Sequence, residues 1–225
     1  VRGLVLDLRN NPGGLLKSAI EVSDLFLREG VIVSTKVRNH RDEVFRAKLE
    51  GTVLSEPGHE VPMAVLLNKY SASASEIVAA ALQDHGRAVV VGERSYGKGS
   101  VQNVMLLESG ASTLKLTTAS YWRPSGKNIH RFPDKKDFEA AKIDPDEWGV
   151  SPDKDLSVDL KDEERIKFMT WRADRDIIRA KGKPAKETKE TKDKDGKPFE
   201  DRVLKAAVEH LRKKLADAPP MKRDA

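Results

Sequence analysis

Pro62-Met63-Ala64-Val65-Leu66-Leu67-Asn68-Lys69-Tyr70-Ser71-Ala72-Ser73-Ala74-Ser75-Glu76-Ile77 takes the chain from one kind of structure into another. Its first half is an unbroken apolar run of strand length, the pattern of a strand buried on both faces. Its second half opens a helix, because the segment from Ser73 to Gln83 is helical in pattern and rich in alanine, which permits close packing. Ser73 and Glu76 stand at capping-box spacing, so the helix start is written in the same residues.

Outward from this unit, strands and helices alternate. Leu4 to Leu8 reads as a buried strand. The turn Asn11-Pro12-Gly13-Gly14 leads from it into an amphipathic helix with Leu16, Ile20, Val22, Leu25 and Phe26, ending near Gly30. Val31 to Val37 is a strand, Asn39-His40-Arg41-Asp42 suits a hairpin turn, and Val44 to Leu49 alternates as the returning partner. Downstream, Val89 to Val91 is a short buried strand, and Val101 to Leu107 joins Ser112 to Tyr121 through Ser109-Gly110. These predict an α/β domain: a mixed β-sheet core with packed helices, plus a helical and partly disordered C-terminal tail. Residues 1–160 form the core and 161–180 a helical appendage, with a helix from Glu163 to Arg179. Residues 181–199 are a polar Lys-rich linker. Residues 200–217 are an amphipathic helix whose stripe of Val203, Leu204, Ala207, Val208, Leu211 and Leu215 suits docking on the core or on a partner.

The chemistry begins with Ser73. A serine hydroxyl is a poor nucleophile at neutral pH unless a base takes its proton, and a lysine does so only where burial disfavours its charged form. Bringing a free ammonium from a pKa of about 10.4 to one of about 7 costs roughly 4 kcal/mol, which a buried, water-poor site supplies. Lys98, between Gly97 and Gly99, is the candidate base, and the glycines leave room for another stretch of chain. Each half alone has a plainer reading, a helix cap and a solvated turn lysine. Together they place a helix start and a post-strand loop where both can meet at one sheet edge. An oxyanion needs backbone donors. Ala74, at the helix N-terminus, offers one, and Gly13 or Gly14 a second, unless Asn11 to Gly14 is only a strand-to-helix turn.

Four blocks recur in a known order: Asp7-Leu8-Arg9-Asn10-Asn11-Pro12-Gly13-Gly14; Ser71-Ala72-Ser73-Ala74-Ser75-Glu76-Ile77; Gly92-Glu93 with Tyr96-Gly97-Lys98-Gly99-Ser100-Val101-Gln102; and Pro124-Ser125-Gly126 with Gly149-Val150-Ser151-Pro152-Asp153. Over residues 1 to about 160 the chain thereby resembles the C-terminal processing peptidases, or tail-specific proteases, which use serine and lysine in place of a Ser-His-Asp triad. The resemblance implies a crotonase-like or ClpP-like protease core, with Ser73 as nucleophile, Lys98 as general base and Gln102 orienting the lysine. Asp84, eleven positions after Ser73, would be an accessory residue; its alternative is a surface residue at a helix end beside Gly86. The resemblance further implies an acyl-enzyme route, no cofactor and no metal. Its substrates would be proteins or peptides with unstructured, apolar C-termini. It also implies a PDZ domain upstream and an extracytoplasmic setting, periplasmic or membrane-associated. Asp134 to Glu147 is a polar insertion longer than the pattern.

Composition narrows the classes. Of the 41 Lys plus Arg and 36 Asp plus Glu, 20 and 14 lie from Lys161 onward, leaving 21 against 22, so the net charge of +5 belongs to the tail. Acidic residues interrupt Lys181 to Lys197 and no aromatic residue falls there, so a solvated linker is favoured over a nucleic-acid surface. With no cysteine there is no thiol nucleophile or disulfide. The chain has no transmembrane run, and it starts directly in a strand, which reads as a fragment. A membrane tether would lie in a preceding segment. Gly92 to Lys98 nearly matches a phosphate-binding loop, but Gly99 stands where Ser or Thr is required and a strand follows instead of a helix. A Ser-His-Asp hydrolase fails because His85 adjoins Asp84 and Ser73 lacks a G-x-S-x-G elbow. Histidines 40, 59, 85, 130 and 210 lack metal-ligand spacing. The competitor of another class is a catalytically inactive peptide-binding fragment of the same fold.

Overall fold

In the computed structural model, which describes residues 1–37, 41–49, 52, 61–141, 144–176 and 199–217, every residue of β4 (Met63–Leu67) is buried. It is the middle strand of a parallel sheet ordered β1 (Leu4–Asp7), β4, β5 (Val89–Gly92). Because side chains alternate across a strand, β4 feeds two cores. Met63, Val65 and Leu67 pack with Ile77 and Leu82 of α2 (Ala74–Asp84). On the opposite face, Ala64 and Leu66 meet Val203, Ala207 and Leu211 of α5 (Arg202–Asp217). The stripe expected on the last helix therefore docks on the core, each fully buried Val or Leu contributing about 1.5–3 kcal/mol.

The connection from β1 to β4 carries α1 (Leu16–Asp24), β2 (Val31–Val37) and β3 (Glu43–Arg46). A second, antiparallel sheet has the order β3, β2, β7 (Ser112–Trp122), β6 (Ser100–Leu107). The α/β class holds, and the two strand orientations occupy separate sheets. Parallel strands need helices on both faces, whereas an antiparallel ribbon tolerates solvent, and β6 is exposed from Gln102 onward. Helix α1 stops at Asp24, short of Gly30, where Phe26 and Leu27 both turn back to the Ser23 carbonyl. Strand β3 covers Glu43–Arg46 instead of Val44 to Leu49. The tip of the Asn39–Asp42 turn lies outside the described residues, as do most of the 181–199 linker and 142–143 of the insertion. Within that insertion α3 spans Lys135–Ala141, and α4 spans Asp162–Asp176.

Helices α4 and α5 are locked to the strand ends that lead to the site. Arg9, 6% exposed, donates to Asp7 and to Asp201 while its guanidinium lies 4.1 Å from the Phe168 ring centroid. Burial alone would raise the Asp7 pKa, and the Arg9 guanidinium and backbone N–H, with the Arg172 charge beside them, more than reverse it. Arg165 forks onto Glu93 at 2.6 and 2.9 Å.

Candidate active site

The site lies at the carboxyl ends of the parallel strands, where chain reversals after β1, β4 and β5 converge. After β1 and β4, two asparagines tie the loops together. The Asn68 amide donates to Asn10 Oδ1 at 2.8 Å, and Asn68 Oδ1 accepts the Asn10 N–H at 3.0 Å. The Asn11 carbonyl accepts the Ala72 N–H at 3.0 Å and the Ser75 hydroxyl at 3.1 Å. Ser71 Oγ donates to the Leu8 carbonyl at 2.8 Å. Held in this way, Ser73 adopts φ 56° and ψ −115°, a conformation that non-glycine residues avoid, that costs about 1–3 kcal/mol and that persists because the surroundings impose it.

Gly13 explains why that loop has no side chain. At φ +95°, a Cβ on it would lie 2.6 Å from the Ala72 carbonyl oxygen, 2.7 Å from the Ala74 nitrogen and 2.9 Å from Ser73 Cβ. The loop thus lies against the backbone of the serine turn. The Gly13 N–H is already committed to Asn11 Oδ1 at 2.9 Å. Among the described residues the Gly14 and Ala74 amides have no acceptor, which leaves those two as donors open to a ligand. Beside them opens an apolar pocket of about 160 Å³, walled by Leu8, Leu15, Ala19, Val22 and Val78. A pocket near 150 Å³ holds a group about the size of benzene.

Glu76 is the residue that joins the serine turn to the lysine loop. Its side chain is fully buried. One oxygen, Oε2, accepts the Ser73 N–H and the Lys98 N–H, each at 2.8 Å, so these two amide nitrogens lie no further apart than twice that distance. The other, Oε1, accepts the Ser95 hydroxyl at 2.5 Å and the Gly97 N–H at 2.6 Å. Burial, which outweighs the relief from these four donors, holds the Glu76 pKa above the usual carboxylate range. The sequence reading gave Glu76 a capping role only. That role is real, and the available signal was the loop of small residues around Lys98, whose backbone amides needed an acceptor.

The glycines flanking Lys98 admit neighbouring chain as expected. A Cβ on Gly97 would lie 2.7 Å from Arg131 Cβ, and one on Gly99 would lie 2.3 Å from the His130 nitrogen. The Lys98 side chain is exposed, however, whereas a neutral amine needs shelter. Buried Gly97 and Gly99 fix the backbone and direct the side chain outward. Gln102 is also exposed, on β6 opposite Thr117 and just past a bulge between Val101 and Gln102. Among the described residues, neither Lys98 Nζ nor the Gln102 amide group has a hydrogen-bond partner. Asp84 ends the helix that Ser73 begins, about 15 Å along its axis from the serine. It is half-buried, on the wall of an open cavity that Arg123 also lines. Its carboxylate, 10% exposed, accepts Arg123 at 2.5 and 3.1 Å and the Ser125 N–H at 3.0 Å. Burial would raise its pKa, and Arg123 overrides this and lowers it.

A serine at a strained strand-to-helix turn, an adjoining glycine loop with open amides and a lysine loop tied to the serine are features of a serine hydrolase site. Residues 1–147 match peptidase family S41, and the chain belongs to that family. It is 55% identical over 131 residues to a carboxy-terminal-processing protease of Bartonella bacilliformis, covering 57% of this chain and 29% of that protein. It is 41% identical over 166 residues to the chloroplastic carboxyl-terminal-processing peptidase 2 of Arabidopsis thaliana, covering 73% of this chain and 28% of that one. Among solved structures, a photosystem II D1 C-terminal processing protease superposes with a TM-score of 0.55 at 34% identity, covering 71% of this chain and 35% of that chain. The chain thus spans less than a third of the length of these curated relatives.

Proposed function

We propose that this chain forms part of a serine endopeptidase of the C-terminal processing type, which hydrolyses peptide bonds by a Ser-Lys dyad. Ser73 Oγ attacks the scissile carbonyl carbon as Lys98 Nζ takes the hydroxyl proton. The carbonyl oxygen becomes an oxyanion facing the Ala74 and Gly14 amides. The tetrahedral adduct collapses with loss of the amine half, which leaves with the proton from Lys98, and the acyl half stays on Ser73. Water, deprotonated by Lys98, then attacks the ester and frees both the acid and the serine. Gln102 orients the lysine once substrate is in place. Substrate lying over Lys98 supplies the desolvation that the amine lacks in this chain. The single observation that carries the reading is the Glu76 oxygen shared by the Ser73 and Lys98 amides.

The apolar pocket beside Ala74 and Gly14 fits an aliphatic side chain on the acyl side, in keeping with unstructured, apolar C-terminal segments as substrates. An extended substrate adds as a strand along a sheet edge. The reading extends to an extracytoplasmic setting and an upstream PDZ domain. Among the described residues no helix is long and apolar enough to cross a membrane, so a tether would belong to another segment. The exposure of Lys98 and the unattached Gln102 favour one alternative, an inactive peptide-binding fragment of the same fold. Cleavage of an unstructured peptide by the full-length protein, with Ser73→Ala and Lys98→Ala variants, separates the two. The peptidase reading expects cleavage to vanish in both variants while peptide binding survives, and a Ser73→Ala protein cutting at the normal rate would end it.

A further inference from the structure

A second cavity, of about 380 Å³, opens on the antiparallel sheet beside the Lys98 loop. Residues directly opposite on paired strands project to the same face. Lys36 pairs with Ser120, Ser120 with Ser100, and Gln102 with Thr117. All of these except Gln102 itself line the cavity, so it lies on the face that carries the residue expected to orient Lys98. His130, whose backbone adjoins Gly99, closes one side, and its Nδ1 is buried without a hydrogen-bond partner. The wall is mixed, with the rings of Trp122 and Phe132 set among the hydroxyls of Ser100, Thr117, Thr118 and Ser120, and it holds one fixed charge. Lys36 Nζ stands 3.7 Å from the Trp122 ring centroid and has no carboxylate partner among the described residues. Trp122 is held in turn by its indole N–H on Ser120 Oγ at 2.9 Å.

In acyl transfer the half that stays on Ser73 has its side chain beside Ala74 and Gly14, in the apolar pocket, while the departing amine passes the group that protonates it. From Lys98 the chain leads through Gly99 to Ser100, which lines this second cavity. We propose that this cavity is the subsite for the leaving-group side of the substrate and that Lys36 selects a carboxylate there. The carboxylate is an acidic side chain shortly beyond the scissile bond or the free α-carboxylate of a short departing tail. The inference rests on the Ser73–Lys98 reading for its orientation, and its test is arranged so that the two fail separately.

Binding is measured on full-length protein carrying Ser73→Ala, by fluorescence titration with three peptides of common sequence. One has Gln beyond the scissile bond and an amidated end, one has Glu at that position, and one keeps Gln but ends in a free carboxylate. At least one carboxylate peptide is expected to bind about fivefold more tightly than the neutral one, the size of a part-exposed ion pair. Whichever of the two gains shows the source of the carboxylate. The preference disappears with Lys36→Ala, persists with Lys36→Arg, and inverts toward a Lys-containing peptide with Lys36→Glu, whereas Lys115→Ala, far along the β6–β7 ribbon, leaves it intact. Equal affinity for all three peptides, or a preference unmoved by Lys36→Glu, overturns the proposal. Absence of cleavage by the unsubstituted protein would instead count against the peptidase reading and leave the binding result standing.

Discussion

Replacing Glu76 by glutamine tests whether one buried carboxylate holds the site together. Its two oxygens each accept two hydrogen bonds, and an amide group keeps one acceptor and turns the other into a donor. If the NH₂ took the place of Oε2, the Ser73 and Lys98 amides would both face a donor. If it took the place of Oε1, only the Gly97 N–H among the backbone amides would be stranded, because the Ser95 oxygen can accept from the NH₂ while its own proton gives up the carboxylate. Ser95 already accepts the Val150 N–H at 2.8 Å, and its oxygen has a second lone pair. The second arrangement is cheaper and leaves one buried N–H unsatisfied, a loss of about 1–3 kcal/mol. With a urea m-value of about 2 kcal/mol/M, the unfolding midpoint falls by on the order of 1 M. Because the Oε2 bonds survive, labelling of Ser73 by a fluorophosphonate stays within about tenfold of the parent rate, a change of roughly 1.4 kcal/mol or less in the barrier. Glu76→Ala strands all four donors around a void, and both stability and labelling should collapse. Refutation would come from Glu76→Gln unfolding at the parent midpoint, or from Glu76→Ala labelling at the parent rate.

Ser73→Gly relieves the φ of 56° and raises the unfolding midpoint, by about 1 kcal/mol in stability, while abolishing cleavage; a less stable variant would show that the turn is not strained. Gly13→Ala drives a Cβ into the Ala72 carbonyl and the Ala74 amide, so kcat is expected to drop by about 10²- to 10³-fold with KM little changed, as read by steady-state kinetics. Asp84→Asn breaks the half-buried pair with Arg123, which keeps its bonds to Gln83 and the Gly149 carbonyl, and costs about 2 kcal/mol near neutral pH in denaturant unfolding. Since the folded Asp84 pKa lies below its ordinary value of 3.8, the stabilisation is complete above that value and is lost as pH falls through it toward the folded pKa. The gap between parent and Asp84→Asn should therefore narrow only in that acidic window, and a gap constant with pH would exclude the ion pair as its cause.

How far the sequence could be read depended on whether a residue's role was set by its neighbours along the chain or by groups brought in from elsewhere. The apolar run at Met63 to Leu67 and the stripe on α5 are local patterns with one physical solution, burial, and both appear as read. The sequence offered Gly13 or Gly14 as a second amide donor because a missing side chain lets backbone approach closely, and the packing of Gly13 against the serine turn is what the structure adds. Which amide stays open was not, since it depends on the Asn11 side chain bending back to take the Gly13 N–H. Asp84 was read as either an accessory residue or a surface residue because its neighbours His85 and Gly86 say helix end. Arg123, thirty-nine positions on, makes it a half-buried anchor. Glu76 is the instructive case. Its spacing from Ser73 fully accounts for a capping box, so nothing local asks for more. Yet a cap at a solvated helix start would leave the carboxylate in water, and here the loop 95–98 folds over it and uses its remaining lone pairs. The same loop, by fastening Gly97 and Lys98 through their backbones, leaves the lysine side chain exposed instead of consumed in holding its own loop in place.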